Sequence, residues 1–284
     1  MLSIQGNSIP EIRKVTSPFN YFSSLFQVRK AFANRKQLNW FQMIFTSLFL
    51  LSLTLIPVAV QNAELQTYPL TTFVSDVFDP LSDEVMADLK ENGAFSQGEF
   101  TYQNNSKVFE NKFGQVILGQ HKDAEYGAAL TLHFDKKALI ILKEKKELAT
   151  IPYQTINQES IQDKKELTKA ISKDWFQANR LAVSLFLVLF SGFLSAVNFA
   201  ILVFGASFFL FLTRKSRLFS LKTFKECFNF TINCLGLPIL ASVLISLVFH
   251  QVFTTTILIQ NILFVLFLAL AFYKTHFRDP DYKP

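Results

Sequence analysis

Cysteine is scarce in this sequence, which contains only Cys227 and Cys234. Both lie in one apolar run, and on a helix a separation of seven residues places them roughly 10 Å apart, too far for a disulfide bond. We therefore expect two unreactive thiols in an apolar helix. Because no cysteine lies between positions 61 and 179, a domain formed by that segment has to be stabilised by packing alone.

Glycine is also scarce, and the common catalytic motifs are missing. Nine glycines occur in 284 residues, and none forms a phosphate-binding loop, a His-Glu-x-x-His zinc motif or a Gly-x-Ser-x-Gly nucleophile motif. His121 and His133 lack the spacing of paired metal ligands, and His133 falls on the polar side of a predicted strand, which predicts exposure to solvent. We therefore expect no catalytic, cofactor-binding or metal site, and a protein that is not an enzyme.

One enzymatic alternative stays open by residue count, because acidic residues are plentiful between positions 61 and 179. A carboxylate pair of the kind that hydrolyses glycosidic bonds needs only two of them. Trp175 is the only tryptophan in that segment, however, and we expect it to lie with Phe176 at the outer membrane interface rather than on a carbohydrate platform.

Charge is distributed very unevenly along the chain. Residues 61–179 carry 13 lysines and 18 acids, a net charge of −5, whereas the remainder carries 15 basic and 4 acidic residues, a net charge of +11. The basic residues adjoin long apolar runs, which favours a membrane topology over nucleic-acid binding. We therefore expect no nucleic-acid partner, and a lipid bilayer as the immediate surroundings.

Four apolar segments without Asp, Glu, Lys or Arg predict four membrane spans. Since both basic flanks belong in the cytoplasm by the positive-inside rule, we expect both termini inside. The predicted fold class is a four-helix transmembrane bundle with a small extracellular α+β domain between spans one and two. The predicted boundaries are 1–39 for a basic, amphipathic cytoplasmic segment, 40–60 for span one, 61–180 for the extracellular domain, 181–212 for span two, 213–226 for a basic cytoplasmic loop, 227–249 for span three, 254–273 for span four and 274–284 for a cytoplasmic tail.

The second apolar run, between Arg180 and Arg214, is ambiguous in length, because as a helix it extends about 50 Å. The charge of two other segments resolves the ambiguity. The N-terminal segment and the loop after Thr213 are both basic and therefore both cytoplasmic. Since the first span leads outwards, this run has to lead back inwards and crosses once. The pair His250–Gln251 and the threonines Thr254 to Thr256 predict the turn between spans three and four. Pro57 is expected to bend or end the first span.

The segment between the first two spans is long enough for a domain of its own. Ser82 is predicted to cap a helix that ends at Gly93. Strands are predicted around Phe100 and Tyr102, at Leu130–Phe134, at Ala138–Leu142 and at Leu148–Tyr153. Asp163 and Glu166 have the spacing of a capping box. The helix that they open contains no Pro or Gly before Gly192, so we expect it to continue unbroken into span two.

Small and polar residues within the spans are candidates for helix packing. Gly192, Ala196 and Ala200 form a stripe at four-residue spacing that lets another helix approach closely, inside the bundle or on another protein. The amides are expected to form interhelical hydrogen bonds, and they are Asn198, Asn229, Asn233, Gln260 and Asn261. Before span one, Phe19, Phe22, Leu25, Phe26 and Phe32 recur at roughly helical spacing beside basic residues, which predicts an interfacial helix on anionic lipid, with an irregular basic tail as the alternative.

The layout and several local segments resemble a family of Firmicutes membrane proteins labelled maltodextrin-utilisation proteins. The segments are the strand pair around Phe134-Asp135, Ile151-Pro152-Tyr153 and Lys165-Glu166-Leu167, and Lys222–Pro238 (KTFKECFNFTINCLGLP) resembles the start of a Yip-family membrane segment. The resemblance implies a link to maltose or maltodextrin uptake and carries over no functional residues.

Three functions therefore compete at this point. The first is a non-catalytic accessory or regulatory protein of the plasma membrane associated with maltodextrin utilisation. The second is a subunit of a membrane transport complex, and the third is a Yip-family-like membrane-organising protein. Besides the bilayer, the candidate partners are sugar-uptake membrane proteins or a second copy of the chain.

Overall fold

The computed structural model describes residues 27–120, 129–216 and 219–279. The chain forms two compact units. The helical unit consists of the chain up to Asn62 together with the chain from Leu187 onwards, and the α+β unit consists of Ala63–Phe186.

The helical unit is built mainly from long apolar helices. Helix α1 spans Val28–Ala33 and is followed by a 3-10 turn at Asn34–Lys36. The long helices are α2 (Trp40–Glu64), α5 (Arg180–Leu212), α6 (Phe224–Phe249) and α7 (Phe253–Thr275). All four are long and apolar enough to cross a membrane, with mean hydropathy of 2.2 to 2.3 in their most apolar windows. The segment around Arg180–Arg214 forms a single long helix, as the one-crossing interpretation requires.

Helix α6 is the centre of the helical unit. In its most apolar window 56% of the residues are buried, against 17% to 28% in the other three long helices. It packs against α7, α1 and the turn after α1. Cys227 and Cys234 are both free thiols and buried within α6, which confirms the prediction that they form no disulfide bond.

The turn between α6 and α7 lies where the polar pair predicted it. Helix α6 ends at Phe249, His250 adopts the left-handed conformation with φ of 50°, and α7 begins at Phe253. The threonines after the pair therefore belong to the first turn of α7. Pro57 lies inside α2, which continues to Glu64, so the alternative that this proline ends the helix is wrong.

The α+β unit combines helices with two small sheets. Helix α3 spans Asp83–Asn92 and leads directly into a hairpin of β1 (Gly93–Ser96) and β2 (Glu99–Tyr102). A five-stranded sheet follows, with the strands in sequence order: β3 (Ser106–Asn111), β4 (Gly114–Gly119), β5 (Leu130–Phe134), β6 (Ala138–Lys143) and β7 (Lys146–Pro152). Its neighbours are antiparallel except for the parallel pair β4 and β5. Helix α4 (Lys164–Ala178) packs against β7.

The local signals for this unit are largely confirmed. The Ser82 hydroxyl accepts a hydrogen bond from the Val85 amide at the start of α3, and Gly93 follows its last residue. The strands form at the predicted segments, and Asp135 to Lys137 make the turn between β5 and β6. The capping box at α4 is wrong: Asp163 occupies the N-cap position, but its side chain caps no backbone amide.

The predicted unbroken helix from the α+β unit into the second apolar run is also wrong. Helix α4 ends at Ala178 and α5 begins at Arg180, with Asn179 between them at φ −113° and ψ 16°. The Asn179 side chain donates a hydrogen bond to the Trp175 carbonyl over 2.9 Å. Asparagine competes in this way with helical backbone bonding, so neither proline nor glycine is needed for the interruption.

Burial bears on two further expectations. His133 is 4% exposed rather than solvated, because β5 is the central strand of the sheet and all five of its residues are buried. Its Nε2 lies 3.0 Å from the Gly119 carbonyl oxygen. Trp175 and Phe176 are 8% and 0% exposed, so neither side chain is exposed as a residue in contact with a membrane interface would be, and their depth relative to a membrane stays a prediction. Trp175 packs against Phe73, with ring centroids 5.2 Å apart.

Candidate functional site

Two of the predicted amides face each other inside the helical unit. Asn198 on α5 and Asn261 on α7 exchange hydrogen bonds, with Nδ2 to Oδ1 distances of 3.2 Å and 3.1 Å. Each side-chain amide thus donates one hydrogen bond to the other and accepts one from it. The polar atoms that form these bonds are therefore not left unsatisfied in an apolar environment. The pair joins two of the four long helices at one point.

Asn233 has a different role, because it bonds to backbone rather than to another side chain. Its Nδ2 donates to the Ala31 carbonyl oxygen over 3.1 Å and thereby attaches α1 to α6. Gln260 on α7 is 3% exposed, and Asn229 on α6 is fully buried. Within the described chain, neither amide atom of Asn229 has a hydrogen-bond partner, so this residue forms none of the interhelical bonds expected of it.

Only part of the small-residue stripe of Gly192, Ala196 and Ala200 lies against another helix of the described chain. A Cβ atom added at Gly192 would lie 3.5 Å from a Leu55 methyl group, so α5 and α2 approach closely there. Ala196 is exposed, and Ala200 is half-buried. The stripe is therefore not one continuous packing surface inside this unit.

Hydroxyl pairs between helices are part of the polar packing that the sequence reading did not single out. The Ser207 hydroxyl on α5 donates to Thr231 on α6 over 3.1 Å, and Ser246 and Thr256 lie 2.7 Å apart between α6 and α7. Serine and threonine are common on all helix faces, so no pattern in the sequence distinguishes these four. The observed contacts hold the bundle together and present no reactive group.

A depression on the α+β unit is the candidate recognition surface of that unit. It has a volume of about 490 Å³ and is lined by Phe100, Thr101, Tyr102, Asn105, Gly119, Gln120 and Lys136. The lining offers two amides, an ammonium group and a half-buried phenol ring, which suit a polar ligand with several hydroxyl groups. Gly119 lies on its wall with φ of 87°, and a Cβ atom there would clash with the Asn105 carbonyl oxygen.

A charged network fixes the orientation of Tyr102 beside this depression. The phenol donates to Asp88 over 2.5 Å, and Lys107 donates to the other oxygen of the same carboxylate over 2.7 Å. Burial and the hydrogen bond to Asp88 raise the pKa of Tyr102 to about 12. Burial alone opposes ionisation of Asp88, but the hydrogen bonds from Lys107 and Tyr102 outweigh it and lower the pKa of that carboxyl. The network therefore holds Tyr102 in its neutral form and Asp88 in its charged form near neutral pH.

No group of three His, Cys, Asp or Glu residues with metal-site geometry occurs within residues 27–120, 129–216 and 219–279. Asn198, Asn233 and Asn261 lie in packing contacts of the helical unit, and the α+β unit carries an open depression.

These features define a class of protein: a chain with four helices capable of spanning a membrane and an α+β unit formed between the first two. The chain is 50% identical over 265 residues to the maltodextrose utilization protein MalA of Streptococcus pneumoniae, in an alignment that covers 93% of this chain and 98% of the relative. The chain belongs to the family of that protein. No family model and no solved structure matches it.

Proposed function

We propose that this protein is a non-catalytic accessory or regulatory protein of the plasma membrane that serves maltodextrin utilisation. The similarity to a relative named for maltodextrose utilization, which extends along nearly the whole chain, is the observation that carries the proposal. The contacts of Asn198 with Asn261, of Asn233 with Ala31 and of Tyr102 with Asp88 support it, because they serve packing or a fixed network.

Gene deletion tests the pathway. A strain lacking the gene is expected to grow more slowly on maltodextrins and to take them up more slowly, while growth on glucose stays unchanged. Plasmid-borne wild-type protein should restore both. Unchanged maltodextrin growth and uptake in the deletion strain would contradict the proposal.

The proposed topology places both termini in the cytoplasm and the α+β unit outside. It is supported by the basic residues beside the apolar helices and the net acidic charge between positions 61 and 179. Single cysteines at Lys137 and Lys215, both exposed, give two sites for a membrane-impermeant maleimide. We expect Lys137→Cys to react in intact cells and Lys215→Cys to react only after permeabilisation. The wild-type protein, whose two cysteines are buried, is the control, and the reverse labelling pattern would contradict the topology.

We further propose that the depression on the α+β unit recognises the ligand or partner of this pathway. Replacing Gln120 and Lys136 together by alanine removes two polar groups from its lining. If an oligosaccharide is recognised there, calorimetry with maltotriose and the purified full-length protein is expected to show an affinity loss of roughly tenfold or more. Gln103→Ala with Lys90→Ala removes the same residue types from exposed positions outside the lining. Equal losses in both pairs would exclude the depression.

A transport-complex subunit is the second candidate, and the exposure of α5 favours it. Only 17% of the most apolar window of α5 is buried, and its exposed side chains include Phe193, Phe204 and Phe209. Such a surface suits lipid or a helix of another subunit. Co-purification of a sugar permease with the affinity-tagged protein in mild detergent would favour this candidate, and solute flux in vesicles containing this protein alone would show that it needs no other subunit.

A further inference from the structure

A basic cavity lies in the helical unit, where the start of α1 meets the end of α7. It has a volume of about 740 Å³ and is lined by Gln27, Val28, Arg29, Tyr273, Lys274 and His276. Lys274 belongs to the last turn of α7, and His276 caps that helix in the left-handed conformation, with its amide donating to the Phe272 carbonyl over 2.7 Å. Two separate elements therefore supply the polar groups of one cavity.

The charge of this cavity is not neutralised within the described chain. Arg29 and Lys274 form no ion pair there, and no acid is among the described lining residues. Asp279, which follows α7, and Glu226, in the first turn of α6, are already paired, with Arg35 over 2.6 Å and with Lys36 over 3.7 Å. An anion that enters the cavity thus meets two cationic side chains that have no ion-pair partner among residues 27–120, 129–216 and 219–279.

An apolar stripe leads along α7 to the same cavity. Ile262, Leu266, Leu270 and Tyr273 succeed one another at helical spacings of four, four and three residues, and they are 52%, 60%, 41% and 74% exposed. Their span of eleven residues extends about 16 Å along the helix. That is close to the length of a phospholipid acyl chain, and Tyr273 belongs to both the stripe and the cavity.

We propose that this cavity binds the phosphate of an anionic glycerophospholipid whose acyl chain lies along the α7 stripe. Arg29 and Lys274 supply the charge, and Tyr273 and His276 supply hydrogen-bond donors to the phosphate oxygens. The inference rests on the proposed membrane insertion. The stripe favours a lipid over free phosphate, because a soluble anion makes no use of an adjoining apolar surface.

Helix-end electrostatics account for only part of this arrangement. A cation in the last turn of α7 complements the partial negative charge at the helix C-terminus, which explains Lys274. Arg29 belongs to α1, so the same reasoning does not explain why it lies at that end of α7. The test below therefore measures lipid binding and thermal stability separately.

Native mass spectrometry of the full-length protein in detergent gives the readout. The probes are dipalmitoyl phosphatidylglycerol, dipalmitoyl phosphatidylcholine, the deacylated headgroup glycerophosphoglycerol and inorganic phosphate. We expect phosphatidylglycerol to bind more tightly than phosphatidylcholine, and both acyl-free probes to bind more weakly than phosphatidylglycerol. Arg29→Gln with Lys274→Gln should weaken phosphatidylglycerol binding roughly 10- to 30-fold, and Arg29→Lys with Lys274→Arg should retain it.

The matched control is Lys30→Gln with Lys225→Gln, which makes the same change in net charge at exposed positions outside the lining. An equal loss in this control, equal binding of the two lipids, or equal binding of inorganic phosphate would overturn the proposal. A lower melting temperature of the cavity variant with unchanged lipid binding would likewise overturn it. The maleimide labelling and the growth phenotype are read independently, so a failure of lipid binding is distinguishable from a failure of the proposed function.

Discussion

At the scale of the residue, Asp88 shows how one carboxylate organises its surroundings. It accepts hydrogen bonds from Tyr102 and Lys107 and a longer one from Asn92 over 3.3 Å. These contacts connect α3 to β2 and β3. The consequence is that Tyr102 is held as a neutral donor beside the depression, since its hydroxyl proton is committed to Asp88.

The pH dependence of stability should report this network. The folded Tyr102 pKa of about 12 exceeds the ordinary value of 10, so its contribution is present below pH 10 and is lost as the pH rises towards 12. The folded Asp88 pKa lies below its usual value, so its contribution is present above about pH 4 and is lost in more acidic solution. We expect Tyr102→Phe to lower the free energy of unfolding by about 1 kcal/mol at neutral pH. The variant should also lose less stability than wild type between pH 10 and 12, so that the alkaline limb of its stability–pH curve is flatter.

Thermal unfolding of the purified full-length protein across pH measures both limbs, and Tyr68→Phe, which lies outside the network, is the control. An alkaline limb of the same slope in Tyr102→Phe and in wild type would contradict the assignment. The acidic limb should persist in Tyr102→Phe, because Lys107 still donates to Asp88.

Asp174 is a second organising carboxylate, and it is fully buried. It accepts hydrogen bonds from the amides of Gln154 and Thr155 over 2.9 Å and from the Thr155 hydroxyl over 2.7 Å. A helical periodicity places this residue on the inner side of α4, but it does not show what satisfies the charge. The groups that stabilise the charge belong to the segment just after β7, about twenty residues earlier in the sequence.

At the scale of the element, the interruption at Asn179 determines where α4 ends. Its amide bonds to the Trp175 and Phe176 carbonyls, and its side chain also donates to Trp175. We expect amides from Gln177 to Arg180 to exchange with solvent faster than those in the middle of α4, because the backbone of Asn179 departs from helical geometry, with φ of −113° and ψ of 16°.

Hydrogen exchange monitored by mass spectrometry checks this prediction, with Asn179→Ala as the variant. Alanine removes the competing side chain and has the highest helix propensity, so exchange across the break should slow. Gln177→Ala, at an exposed position two residues earlier, is the control. Wild-type exchange that is uniformly slow through this segment would show that the break has no dynamic consequence.

The Asn198 and Asn261 pair makes a sharper element-scale prediction. Since each amide is the other's hydrogen-bond partner, either single alanine variant leaves a polar group unpaired. We expect a coupling energy of about 0.6 to 1.7 kcal/mol between the two sites. The double variant should therefore be less unstable than the sum of the single variants.

The measurement is a double-mutant cycle that compares wild type, the two single variants and the double variant. Unfolding of each purified protein in mixed micelles with an increasing fraction of denaturing detergent gives its free energy of unfolding. Ser52→Ala, which removes only a bond to the Phe49 carbonyl within α2, is the control and should cost less than either asparagine variant. Strict additivity of the two asparagine variants would contradict the observed pairing.

At the scale of the whole molecule, each of the two compact units has its own buried core. We expect two unfolding transitions for the full-length protein in detergent, because urea acts on a water-exposed α+β unit more readily than on apolar helices in a micelle. Asp174→Asn places an amide donor among the backbone amides of Gln154 and Thr155. It should lower the free energy of unfolding of the first transition alone, by roughly 2 to 3 kcal/mol. Asp163→Asn is the control, since that side chain caps nothing.

The long helices of the helical unit were easier to predict from the sequence than residue burial in the α+β unit, for physical reasons. Long uncharged runs constrain helices strongly, so all four apolar helices and the turn at His250 were predicted. In the α+β unit, a strand such as β5 alternates in sequence yet is buried throughout. Burial of His133 depends on which strands flank β5, and the parallel pairing with β4 is a long-range fact that no local pattern contains.

The candidate site was less predictable than the fold. The amides were found because polar groups stand out in apolar runs, but their partners were not, since Asn198 and Asn261 are 63 residues apart. Arg29 and Lys274 were recognised only as topological charge, because a positive-inside argument counts cations and does not place them together. The depression beside Tyr102 draws its lining from two strands, β2 and β4, and from the connecting segments that hold Asn105, Gln120 and Lys136.

The attachment of α1 has a consequence for the order of assembly during synthesis. Its contacts reach far along the chain: Ala31 is bonded to Asn233, 202 positions later, and Arg35 is paired with Asp279, 244 positions later. A ribosome releases the α+β segment well before either partner exists, so α1 has to remain without these contacts until α6 and α7 have emerged. Completion of the helical unit therefore has to wait until Asp279 has been synthesised, and truncation before Asp279 should leave Arg35 without its counter-ion in an otherwise inserted chain.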